Sequence, residues 1–144
     1  MPTAFAYESM DTLFLQRTER SPLLEFDFVG RRLRIEGESY PEDAAAFFGP
    51  VLKSLESYLS ELSVQRPSSP LRLELRMAYF NSSSAKALMN IFQMLESAAR
   101  QGVPVEVHWY YDPEDETMQE FGEDFSEDLE YARFNLHELE AQPS

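Results

Sequence analysis

The chain is predicted to fold as a single mixed α/β (α+β) domain. An N-terminal antiparallel hairpin should feed a mixed β-sheet, with helices mainly on one face. Three observations carry this expectation. Short runs of alternating apolar and polar residues recur, as half-buried strands require. Longer stretches place apolar residues at the 3.6-residue period of an amphipathic helix. From residue 32 onward the two patterns take turns, and strand–helix–strand units of this length favour right-handed parallel crossovers.

Leu13 to Arg17 is a short apolar stretch and the first strand candidate. Leu24, Phe26 and Phe28 alternate with Glu25, Asp27 and Val29. Gly30 and Arg31 supply turn chemistry, and Leu33 and Ile35 then share one face of Arg32 to Glu36. Two such runs joined at a glycine read as a hairpin. Asp43 to Leu62 carries Phe47, Phe48, Val51, Leu52, Leu55, Leu59 and Leu62 near the helical period. Pro50, preceded by Gly49, is expected to kink or break this helix near residues 48–50, because an interior proline costs roughly 3 kcal/mol. Leu71, Leu73, Leu75 and Met77 mark the clearest strand, running to Tyr79. Ala85 to Ala99 forms the next helix, with Gly102 as its natural end. Val103, Val105, Val107 and Trp109 make another strand. Glu114 to Asp128 should be an acidic helix burying Met118, Phe121 and Phe125 and weakened by Gly122, and Arg133 to Leu139 a last short strand.

The 144 residues suffice for one domain with a real core, residues 1–144 with the core at about 10–139. With 43% apolar residues the composition is globular, and the absence of cysteine excludes disulfides, thiolate metal sites and cysteine nucleophiles. Neither a secretory leader nor an apolar run of membrane-spanning length is visible, so a cytoplasmic location is expected. A formal charge of −14 argues against nucleic acid and membrane surfaces as partners.

The run Asn81-Ser82-Ser83-Ser84 falls where a strand hands over to a helix. Helix N-termini expose unpaired N–H groups and a partial positive charge. A hydroxyl there can be a cap worth about 1 kcal/mol, a phosphate-binding element, or an acceptor of phosphate itself. Catalysis finds little support. A serine nucleophile needs a base, the histidines are His108 and His137 alone, and no Gly-x-Ser-x-Gly elbow exists. Ten carboxylates between Asp112 and Glu130 lack calcium-loop spacing, so neither a metal nor a cofactor is expected. That segment reads as a solvated face or as a docking patch for a basic partner.

Three segments resemble the SiaC family of bacterial regulatory phosphoproteins. They are Gly37 to Glu42 with Phe48-Gly49, Leu75 to Ala87 around Tyr79 to Lys86, and Val107 to Asp112. They occur in the family's order, and the likeness covers about residues 22–138. It implies a non-enzymatic partner switch. A dedicated kinase phosphorylates the residue after the asparagine, here Ser82, and a metal-dependent serine/threonine phosphatase removes the phosphate. The unphosphorylated form binds and activates a diguanylate cyclase, promoting cyclic-di-GMP signalling and biofilm formation. On this reading Ser83 and Ser84 cap the helix, Asn81 shapes the turn, and Tyr40, Pro41 and Glu42 lie nearby on the partner-binding face. The element order also resembles STAS-type anti-sigma-factor antagonists. Two readings from other classes stand beside the switch. One is an unmodified acidic adaptor docking through residues 114–128; the other is a hydrolase using Ser82 with His108.

Overall fold

The structure is a computed structural model and describes residues 12–140. Its elements are β1 (Thr12–Leu15), β2 (Leu23–Asp27), β3 (Arg32–Ser39), α1 (Ala44–Gln65), β4 (Leu71–Phe80), α2 (Ser82–Arg100), β5 (Val105–Tyr111), α3 (Glu116–Ser126) and β6 (Arg133–Glu138). The six strands form one sheet in the order β1-β2-β3-β4-β5-β6. β1, β2 and β3 pair antiparallel; β3, β4, β5 and β6 pair parallel. The predicted mixed α/β architecture is therefore the observed one.

Each parallel crossover steps the same way across the sheet. Right-handed crossovers taken in one direction place all three helices on one face. Between helices and sheet lies the core. Leu33, Ile35, Leu71, Leu73, Leu75, Val107 and Trp109 from the strands meet Val51, Leu55, Leu62, Leu88, Ile91 and Leu95 from the helices. The alternate residues line the other face as a ladder of charges. Arg32 grips Glu74 through two hydrogen bonds at 2.9 and 3.1 Å, and Arg34 bridges Glu25 and Glu36. The Arg76 guanidinium lies 4.0 Å from the ring centre of Tyr110.

Three details depart from the sequence expectation. First, α1 runs unbroken through Pro50 to Gln65. Pro50 removes one hydrogen bond, but the buried stripe of Phe48, Val51, Leu55, Tyr58, Leu59 and Leu62 holds the turns on either side. Burial of each such side chain is worth about 1.5–3 kcal/mol, so the stripe outweighs one proline. Second, α3 is shorter than the acidic pattern suggested, because Asp115 accepts from the Met118 N–H and starts the helix at Glu116. Third, Gly122 is required rather than merely tolerated. A Cβ there would come within 2.7 Å of Trp109 and of Leu136, so the missing side chain lets α3 approach the sheet. That approach brings the Met118 carbonyl within 3.0 Å of Trp109 Nε1, which donates to it. At the end of α2, Gly102 exits with φ of +105° one residue beyond the cap, much as predicted.

Candidate functional site

The parallel strands β3 and β4 end side by side, and α1 and α2 both begin just beyond them. In open α/β sheets this carboxyl end of the strands is where sites form. A register shift shapes the end of β4. Gly37 pairs with Met77 but Glu38 pairs with Tyr79, so Ala78 is an extra, unpaired residue. Such a bulge re-aims the residues after it. Phe80 therefore points into the core, against Trp109, Phe121 and Phe125, while Tyr79 turns outward and meets Tyr40 edge-on at 5.9 Å.

One residue later the chain enters α2. Asn81 is extended (φ −85°, ψ 179°), and its side-chain oxygen accepts from the Ser84 N–H at 2.9 Å. Its own N–H donates to the Ser39 carbonyl at 3.0 Å, and its carbonyl accepts from Ala85. Asn81 is thus the helix cap. Ser82 and Ser83 occupy the first two helical positions and are exposed. Their N–H groups have no intrahelical acceptor, as the geometry of a helix start dictates. Ser84 is wholly buried, and its hydroxyl lies 2.7 Å from that of Ser39, itself 1% exposed.

This corrects two expectations. Ser83 and Ser84 do not cap the helix; Asn81 does, because its carboxamide reaches three residues forward as a cap must. Nor is Ser84 part of an accessible partner-binding loop, since the helical turn directs it into the core. The fold does bring Tyr40, Pro41 and Glu42 to the same end of the sheet as Ser82. Glu42 and Ser83 border one groove of about 510 Å³, floored by Phe48, Leu52 and Ala87 and flanked by Lys86 and Asn90. Arg20 reaches over the Tyr40 ring and bonds Glu42 at 2.8 Å, an exposed contact worth little energetically.

The histidines are elsewhere. His108 sits opposite Glu74 in the β4–β5 ladder, on the sheet face away from the helices. Along β4 that is on the order of 20 Å from the start of α2, at about 3.3 Å per residue. His108 Nδ1 is 2.8 Å from His137 Nε2, and its Nε2 is 3.0 Å from Glu106. Burial, with His108 and Arg76 nearby, holds the pKa of His137 below its ordinary value. Hydrogen bonding from Arg32 lowers that of Glu74 against the opposing effect of burial. Ser82 and His108 are therefore not brought together. Among the described residues no three His, Asp or Glu side chains converge as a metal site would need, and no helix is long and apolar enough to cross a membrane.

A family model described as "SiaC family regulatory phosphoprotein" matches residues 15–139. The chain belongs to the SiaC family. A Pseudomonas aeruginosa protein (strain UCBPP-PA14) of uncharacterised function is 37% identical over 122 residues, covering 85% of this chain and 93% of its own. Among solved structures, SiaC of Pseudomonas aeruginosa matches with a TM-score of 0.80 and 35% identity, over 90% of this chain and all of that one. The same protein, solved as the activator in complex with the diguanylate cyclase SiaD, matches with a TM-score of 0.79 at 35% identity, over 88% and 99%. This SiaC-family chain therefore keeps the family's fold across nearly its whole described length. The residue that sequence reasoning overlooked is Ser39. Its position two and four residues beyond Gly37 and Ile35 on the inward face of β3 was the available signal, though nothing in the sequence names Ser84 as its partner.

Proposed function

We propose that this chain is a phosphorylation-controlled partner protein whose unmodified form binds and activates a diguanylate cyclase. Ser82 is its phosphoacceptor. A dedicated kinase adds the phosphate, which blocks cyclase binding, and a metal-dependent serine/threonine phosphatase removes it. The protein acts by binding rather than by catalysis.

The observation that carries this reading is the division of labour among four polar residues. Asn81 is spent as the cap and Ser84 is buried, which leaves Ser82 as an exposed hydroxyl directly after the asparagine. The relation to a cyclase activator of known structure supplies the partner class. Phosphate on Ser82 adds about −1.5 to −2 charges at a helix N-terminus, which tolerates them. The cost falls instead on a partner packed against this surface, which must desolvate the dianion. Each 1.4 kcal/mol of that cost weakens binding about tenfold. Tyr40, Pro41, Glu42 and Ser83 form the surrounding contact surface.

The test is to incubate the protein with the family's kinase and ATP and map the phosphate by mass spectrometry. Phosphate is expected on Ser82 and absent from Ser82→Ala. Ser82→Asp should bind the cyclase more weakly than Ser82→Ala. Phosphate on another residue, or equal cyclase affinity of the two variants, would overturn the reading.

A further inference from the structure

Three successive serines open α2, and a helix rotates by about 100° per residue, so their hydroxyls point in three directions. Two face solvent. The third, Ser84, points at the end of β3 and meets Ser39. Two further bonds close this contact into a ring: the Asn81 N–H donates to the Ser39 carbonyl, and the Ser84 N–H donates to the Asn81 side chain. Residues 45 positions apart are thereby locked together at the start of the helix.

Packing alone does not call for this pair. Two alanines would fill nearly the same space without taking two hydroxyls out of water. What the hydroxyls add is direction. The buried apolar stripe that orients α2 begins only at Ala87 and Leu88, so the first turn takes its direction from the hydrogen bond, and a fully satisfied buried network rigidifies its surroundings. Without that tie the first turn can fray, and a first turn unwound by one residue would present Ser83 where Ser82 now stands.

We infer that Ser39 and Ser84 are positioning residues for the switch, holding the first turn of α2 so that Ser82, and not Ser83, is offered to the kinase. The inference rests on the reading of Ser82 as phosphoacceptor. In the transfer step the Ser82 Oγ forms a bond to the γ-phosphorus of ATP. The bond from that phosphorus to the β,γ-bridging oxygen breaks, ADP leaves, and the hydroxyl proton passes to a base of the kinase. The reacting oxygen must lie in line with the leaving group, so a small misplacement of the hydroxyl is costly.

The experiment compares wild type, Ser39→Ala, Ser84→Ala and the double variant as substrates of the family's kinase with ATP. Steady-state kinetics, peptide mapping of the phosphate and thermal melting are read for each. Each single variant should lower kcat for modification of Ser82 about tenfold with KM little changed, and phosphate should appear on Ser83. Each single variant also leaves one buried hydroxyl without its partner and melts at lower temperature. The double variant leaves no orphan, so its melting temperature should recover toward wild type while the low kcat and the Ser83 phosphate persist. Recovery of kcat and site selectivity along with melting temperature would reduce the pair to a structural role and overturn the inference. Wild-type kinetics and selectivity in the single variants would overturn it as well, leaving Ser82 as acceptor intact. Absence of phosphate from Ser82 in the wild-type protein would instead remove the proposed function, and this inference with it.

Discussion

Glu96 ties α2 to the far edge of the sheet, and replacing it should loosen that edge in a pH-dependent way. The carboxylate is 7% exposed and accepts the N–H groups of Glu130 (2.8 Å), Tyr131 (3.0 and 3.1 Å) and Ala132 (2.9 Å). Burial pushes its pKa up. The backbone donors, with help from Arg100, outweigh burial and bring it below the ordinary 4.5. The folded protein then binds this proton more weakly than the unfolded chain. Its stabilising contribution is complete above about pH 4.5 and drains away as pH falls through the lowered folded value. In Glu96→Gln one oxygen still accepts, but the amide NH₂ faces at least one backbone donor. Hydrogen bonds to a charged group are worth about 1.5–3 kcal/mol each. Losing one and neutralising the rest should cost about 2–3 kcal/mol at pH 7. With a urea dependence of about 1–3 kcal/mol per molar, the midpoint should fall by roughly 1–2 M. Trp109, the single tryptophan and 1% exposed, reports unfolding by fluorescence. The gap between wild type and variant should be widest at neutral pH and narrow as pH falls below 4.5 and through the lowered folded value, where the carboxyl is itself protonated. Equal midpoints at pH 7, or a gap that persists unchanged to pH 3, would refute the assignment of charge-dependent anchoring to Glu96.

Three further changes test the local accounts. Gly122→Ala gains about 1 kcal/mol of helix propensity but forces a Cβ against the rigid Trp109 ring, and overpacking of this kind costs about 1–3 kcal/mol. A net loss of stability and a shifted Trp109 emission are expected; a higher melting temperature would show that α3 has room to spare. Asn81→Ala should cost about 1 kcal/mol as a lost cap, whereas the exposed Ser83→Ala should stay within about 0.5 kcal/mol. The reverse ranking in chemical denaturation would restore the serines as the capping group.

Most of the element order was legible because alternation and helical period are local properties of the chain. Leu71, Leu73, Leu75 and Met77 announce an inward-facing strand wherever the chain places it, and the polar run Asn81 to Ser84 before a helical stripe announces that a helix begins there. The proline at position 50 misled for the converse reason. Its cost is local and visible, while the burial that overrides it depends on what α1 packs against. The cap is hidden in the same way, since four polar side chains in a row all qualify until the helix phase is known.

Several features exist only in three dimensions. The unpaired Ala78 that turns Tyr79 outward arises from pairing with β3, which no pattern within β4 encodes. The close approach that makes Gly122 indispensable needs Trp109 and Leu136 from two other strands. The contact of Ser39 with Ser84 joins residues whose separation along the chain carries no signal. What the sequence by itself determined is the layering of helices on a mixed sheet and a hydroxyl run at one helix start, because solvent preference and backbone period act residue by residue. Which hydroxyls are free, which is buried, and that the asparagine supplies the cap were decided by the tertiary structure, because burial and helix rotation are set by neighbours distant in the chain.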